Sequence, residues 1–92
     1  MRSYRIFETA QFQEDMRTIA RSGESAVLRK LRAAVYPQLC ERPHYGPNIR
    51  KLKHWSPETW RYRVGSWRFF YEIDDEGRVV LMTAASHRSS AY

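Results

Sequence analysis

The dipeptide Gly65-Ser66 constrains this chain more than any other feature, because it sits between two stretches of strict alternation. Before it, Trp60, Tyr62 and Val64 alternate with Arg61 and Arg63; after it, Trp67, Phe69, Tyr71 and Ile73 alternate with Arg68, Phe70 and Glu72. A period of two is the pattern of strands with one covered face. Glycine in the first position of a two-residue loop suits a type II′ hairpin turn. A turn of that length also sets the register, so Val64 is expected opposite Trp67, Arg63 opposite Arg68, Tyr62 opposite Phe69 and Arg61 opposite Phe70. The hairpin then turns an aromatic face to a core and an arginine face away from it. Like charges directly opposite each other on paired strands are destabilising by roughly 0.2 to 1 kcal/mol. Stability alone would not select the Arg63–Arg68 pairing. Either these arginines are simply solvated on an uncovered face, or an anionic ligand relieves their repulsion, and the opposed pair favours the ligand.

The remaining residues supply the cover. Residues 4–8 put Tyr4 and Ile6 on one side and Arg5 and Phe7 on the other, which predicts a short first strand. Thr9 is an N-cap candidate, and Phe12, Met16, Ile19 and Ala20 follow at helical spacing, so a helix is expected from about Ala10 to Ser22, closed by Gly23. From Glu24 onward, Val27, Leu28, Leu31, Ala34 and Val35 repeat at three and four. This second helix should stop near Val35, or persist only as a brief turn through Leu39, because Pro37 disfavours helix at Tyr36 and lacks a donor. Pro43, Gly46 and Pro47 mark a loop over residues 41–48, and the basic stretch from Ile49 to His54 can be extended. After a turn at Asp74 to Gly77, Arg78 to about Ala85 reads as a last, mostly apolar and central strand. The predicted order is βααβββ: an α+β fold with a helical hairpin packed on one face of a mostly antiparallel four-stranded sheet. A chain of 92 residues implies one domain over 1–92, and its 14% of aromatic residues excludes disorder.

Charge narrows the function. Sixteen Lys and Arg against ten Asp and Glu give a net +6, which attracts polyanions. Six of the cations, Arg50, Lys51, Lys53, Arg61, Arg63 and Arg68, fall within residues 50–68 against the single Glu58. Trp55 and Phe70 are the aromatics left over from the core pattern and are candidate base-stacking surfaces, with packing as the plain alternative. Past the last strand, His87 adds a group that titrates near neutrality, Arg88 a further guanidinium and Tyr92 a phenol. Cleaving RNA by internal attack requires activation of the 2′-OH, stabilisation of a dianionic phosphorane and protonation of the 5′-oxygen. Arginines supply only the middle task, because they do not deprotonate. Phosphate-cradling glycine loops, zinc-binding helices, nucleophile elbows and paired carboxylates are missing from the sequence. One cysteine, Cys40, forms no internal disulfide, the longest apolar run is Val79 to Met82, and no signal peptide is legible, so a cytoplasmic protein away from any membrane is expected.

Three stretches, Asn48-Ile49-Arg50-Lys51-Leu52-Lys53, then Trp60 through Ile73, then His87-Arg88 with the closing Tyr92, resemble the RelE/ParE superfamily of toxins from type II toxin-antitoxin modules. In the RelE branch the resemblance implies a metal-independent, ribosome-dependent mRNA endoribonuclease (an mRNA interferase) whose concave sheet face enters the ribosomal A site. In the ParE branch it implies a DNA gyrase inhibitor, and a non-catalytic RNA-binding module of the same fold is the third reading. By position, Arg68 resembles the arginine that contacts the scissile phosphate. Arg61 and Arg63 match basic strand positions that hold lysines in the best-known nuclease, Tyr92 its C-terminal tyrosine, and His87 the near-terminal histidine of other nucleases. Arg88 could instead match the near-terminal arginine. Arginine at 61 and 63 cannot become a general base, which shifts that role to His87 or leaves it vacant. The retained basic face with His87 and Tyr92 favours the nuclease. The resemblance further implies no metal or organic cofactor, and as partners a cognate acidic antitoxin, the ribosome and mRNA.

Overall fold

The computed structural model describes residues 3–88. Its elements are β1 (Arg5–Glu8), α1 (Ala10–Arg21), α2 (Ser25–Lys30), a π-helical turn (Leu31–Val35), α3 (Tyr36–Glu41), β2 (Ile49–Lys51), β3 (Trp60–Val64), β4 (Trp67–Asp74) and β5 (Val79–His87). Thr9 caps α1 by accepting a hydrogen bond from the Phe12 N–H at 3.1 Å, and Gly23 follows the helix at φ 85°. The second helix runs through Pro37 rather than stopping at it. The Tyr36 N–H donates to the Leu31 carbonyl five residues back, which widens the turn ahead of the proline. Pro37 then occupies the first turn of α3, where a missing N–H costs nothing.

The sheet has five strands in the order β1-β5-β4-β3-β2, with β1 parallel to β5 and the other pairs antiparallel. The fifth strand is β2, whose three residues pair as Ile49 with Tyr62, Arg50 with Arg61 and Lys51 with Trp60. So short a strand has no alternation to announce it. The central hairpin has the expected register, Val64 with Trp67, Arg63 with Arg68, Tyr62 with Phe69 and Arg61 with Phe70, and Gly65 takes φ 58° in its turn.

The helices cover one face. Phe12, Ile19, Val35 and Leu39 from the helices meet Phe69, Tyr71, Val80 and Met82 from the sheet, all at 0% exposure. Each such side chain contributes about 1.5–3 kcal/mol by leaving water. The polar atoms of the core aromatics are satisfied too. Tyr62 Oη donates to Gln38 at 2.8 Å, Tyr71 Oη to the Pro43 carbonyl at 2.8 Å, and Trp67 Nε1 to Glu24 at 3.1 Å. These bonds tie the helical hairpin and the 41–48 loop to the hairpin strands.

One irregularity in β5 decides what reaches the other face. Tyr71 pairs with Met82 but Phe70 pairs with Ala84, so Thr83 is left over as a β-bulge. The Thr83 carbonyl accepts from Thr9 Oγ1 at 3.1 Å, its own hydroxyl donates to the Phe70 carbonyl at 3.2 Å, and the Ala85 N–H donates to Asp15 at 2.8 Å. Because strand parity is strict, the extra residue reverses the facing of everything beyond it. Ala85 and His87 lie on the helix side with their partners Phe69 and Trp67, and Ser86 lies on the open side with Arg68.

Candidate nucleic-acid interface

The uncovered face carries two rows of like charge. Arg50 stands opposite Arg61 across β2 and β3, and Arg63 stands opposite Arg68 across β3 and β4. Among the described residues none of these four arginines has an ion pair. Arg61 is the most constrained. Its Nε is buried and without a hydrogen-bond partner. Burial first, and then the guanidinium groups of Arg63, Arg50 and Arg68, hold its pKa below the ordinary arginine value. It remains a cation at any physiological pH. Four guanidinium groups from three strands thus form a positive surface that an oxyanion would stabilise.

The aromatic part of the site comes from the loop between β2 and β3. Trp55 lies flat on Phe70, with centroids 5.8 Å apart and planes at 16°. Phe70 is only 5% exposed, so it serves as the floor of the site, whereas Trp55 is 44% exposed. Together with Arg50, Leu52, Arg61 and Arg68 they line a cavity of about 290 Å³.

The other sequence-predicted residues are spread more widely. Lys51 pairs with Trp60, a helix-side position at the sheet edge, where its Nζ lies 6.0 Å from the Trp60 ring and 2.5 Å from Glu58. Lys53 is exposed in the loop. His87 is the last residue of β5 rather than a residue past its end, and its ring meets Trp67 edge-on at 5.1 Å, on the side of the sheet away from the arginines. The expected grouping of His87 with Arg61, Arg63 and Arg68 is therefore not what the fold produces, and the Thr83 bulge is the reason. Arg88 is exposed beside the hairpin turn, its N–H on the Ser66 carbonyl at 2.7 Å. Tyr92 lies outside the described residues.

A family profile for ParE toxins of type II toxin-antitoxin systems (parDE) matches residues 6–92. The chain belongs to that family. No match was found among curated proteins. Among solved structures, the toxin is similar over 98% of its length to 97% of a chain of the RelBE2 toxin-antitoxin complex from Mycobacterium tuberculosis, at 23% identity and a TM-score of 0.73. It is also similar to a metal-bound toxin from Helicobacter pylori (15% identity, 97% of this chain and 99% of that one, TM-score 0.76). A third similar structure is the Escherichia coli DinJ-YafQ toxin-antitoxin complex (13% identity, 97% of each chain, TM-score 0.75). These likenesses establish a RelE-like fold for the toxin.

Two features of the toxin's site were missed in the sequence. The Arg50–Arg61 pair follows from β2, and only a register for that short strand could have found it. His54, which the sequence offered only as the end of a basic stretch, precedes Trp55 in the loop between β2 and β3, lines the cavity that shares Leu52 and Trp55 with the arginine cavity, and is held at φ 65°. Non-glycine residues at positive φ are uncommon and worth a functional question. Among the described residues no group of three or more His, Cys, Asp or Glu is placed to hold a metal, and no helix is long and apolar enough to cross a membrane.

Proposed function

We propose that the toxin cuts messenger RNA on the ribosome, with the scissile phosphate held against Arg61, Arg63 and Arg68. The observation that carries this reading is the pair of opposed arginine rows on an open sheet face, where repulsion goes unrelieved by any carboxylate among the described residues. In the proposed reaction the 2′-oxygen attacks the adjacent phosphorus, a base takes the 2′ proton, and the 5′-oxygen leaves with a proton from an acid. No metal takes part. The guanidinium groups stabilise the charge added on the phosphorane, a contribution worth roughly 3 kcal/mol or more at a preorganised site. For proton transfer, His54 lines the cavity that shares Leu52 and Trp55 with the arginine cavity, while His87 lies across the sheet on Trp67. His54 is the better candidate of the two on geometry.

The reading includes a cytoplasmic site of action and a cognate acidic antitoxin that offsets part of the +6 charge. Several similar toxins were solved as antitoxin complexes, which supports such a partner. Toe-print mapping of translated mRNA is the test. New 3′ ends in the A-site codon with the wild type, lost with Arg68→Leu, are the expected result. A translation block without cleavage would leave a non-catalytic RNA-binding toxin.

Inhibition of DNA gyrase is the second reading. It is favoured by the match to ParE toxins and by the position of His87 away from the arginines. Supercoiling and DNA-cleavage assays with purified gyrase separate the two: gyrase-dependent DNA breaks with intact message would replace the nuclease.

A further inference from the structure

Trp55 and Leu52 border two cavities, not one. The first is the arginine cavity of about 290 Å³. The second, of about 550 Å³, is lined by Lys51, Leu52, Lys53, His54, Trp55 and Glu58 and lies at the β2 edge of the sheet. Ligand cavities run from roughly 300 to 1,000 Å³, so each is of a size to hold one nucleotide unit and neither would hold a folded RNA. Their chemistry is parallel. The first combines three guanidinium groups with the stacked Trp55–Phe70 pair. The second combines two ammonium groups and an imidazole with the same Trp55 wall. Glu58, the one carboxylate of the second cavity, is engaged by Lys51 at 2.5 Å, which leaves Lys53 as its cation without an ion pair among the described residues.

From this arrangement we infer that the toxin has a second nucleotide subsite, the lysine cavity, and that it binds single-stranded RNA as at least a dinucleotide passing over Trp55. The phosphate in the first cavity meets the arginines, a base packs against the indole, and the neighbouring nucleotide enters the second cavity with its phosphate toward Lys53. A base has a flat face whatever its identity, so an indole between two cationic cavities reads strand continuity rather than sequence. A duplex cannot use the wall, because its bases are stacked on one another. The inference rests on the reading that the arginine face engages RNA.

The experiment measures binding of the full-length toxin to uncleavable 2′-O-methyl probes: a nucleoside 5′-monophosphate, a 5′-phosphorylated dinucleotide, and a dinucleotide of the same charge with one base removed. The dinucleotide should bind the wild type at least about tenfold more tightly than the mononucleotide, and removal of the base should cost about fivefold or more, the scale of one base–aromatic stack. Lys53→Gln should weaken dinucleotide binding at least fivefold more than mononucleotide binding. Trp55→Leu should abolish the difference between the intact and abasic probes, and Trp55→Phe should restore it. Equal affinity for mononucleotide and dinucleotide, or for intact and abasic dinucleotide, would overturn the second subsite and leave the arginine face standing. Failure of the wild type to bind any probe, with a folded protein verified by circular dichroism, would overturn this inference, whereas absence of A-site cleavage in the toe-print assay would overturn the RNA reading on which it rests.

Discussion

The two faces of the β3–β4 hairpin are built from alternate residues of the same two strands and obey opposite rules. On the helix side Tyr62, Trp67 and Tyr71 are buried and each finds a hydrogen-bond partner. Among the described residues of that side, Trp60, at the periphery, keeps a buried Nε1 without one. On the open side Arg61 and Arg63 face Arg50 and Arg68, and the Arg61 Nε is buried and unmet. A buried polar group left unsatisfied costs about 1–3 kcal/mol, and opposed like charges add to that. One face is therefore arranged for stability and the other at its expense, as the RNA-binding role proposed for the second would require.

Neighbouring residues make the comparison sharp. Phe69→Ala empties the centre of the core and should cost about 3–5 kcal/mol in denaturant melts, while cleavage per folded molecule stays near normal. Arg68→Leu should do the reverse: cleavage on programmed ribosomes falls at least 10²-fold, roughly 3 kcal/mol, while the free protein melts at the same temperature or slightly higher. A destabilised Arg68→Leu with normal specific activity would break the contrast. Tyr71→Phe strands the Pro43 carbonyl and should lower stability by about 1–3 kcal/mol, again without touching the chemistry.

The histidines test which face each belongs to. His54→Gln should lower cleavage about tenfold or more with little change in melting. His87→Gln should lose its edge-on contact with Trp67, worth about 0.5–1.5 kcal/mol, with cleavage falling only with the folded fraction. The opposite outcome in single-turnover assays would return His87 to the reaction.

The smallest effect is electrostatic. The Tyr4 hydroxyl, bonded at 2.6 Å, and then His44 and Arg78 hold the Asp75 carboxyl below its ordinary value. A depressed carboxylate stabilises the fold above the unfolded value, about 3.9, and loses that contribution as pH falls through the folded one. Asp75→Asn should therefore melt slightly below the wild type at neutral pH and match it in strong acid. A gap that persists below pH ~2 would assign the effect to something other than ionisation.

Much of this was legible in the sequence where one local rule acted alone. The Gly65-Ser66 turn sets its own register, so both faces of the hairpin could be assigned residue by residue. The rest depended on distant partners. The helix survives Pro37 because the turn before it widens against the sheet, β2 exists because β3 offers it an edge, and Thr83 bulges where Thr9 and Asp15 hold the strand from outside. Alternation counted along β5 puts His87 with the arginines; contacts some seventy residues away in the chain put it with Trp67.

That bulge also bears on how such toxins diverge. The pairing on either side of Thr83 is continuous without it, so a strand lacking that residue would keep His87 opposite Trp67 and Ser86 opposite Arg68, whereas a strand that retained Thr83 but paired it in step would send His87 to the open face and draw Ser86 under the helices. The facing of the C-terminal strand is thus set by whether the extra residue is bulged or paired, and the contacts of Thr9 and Asp15 hold it bulged. A histidine at the same distance from the end of a relative's chain need not inherit the surroundings of this one, because loss of the bulge alone, with the residue retained, exchanges a hydroxyl for an imidazole on the open face without any substitution at either position.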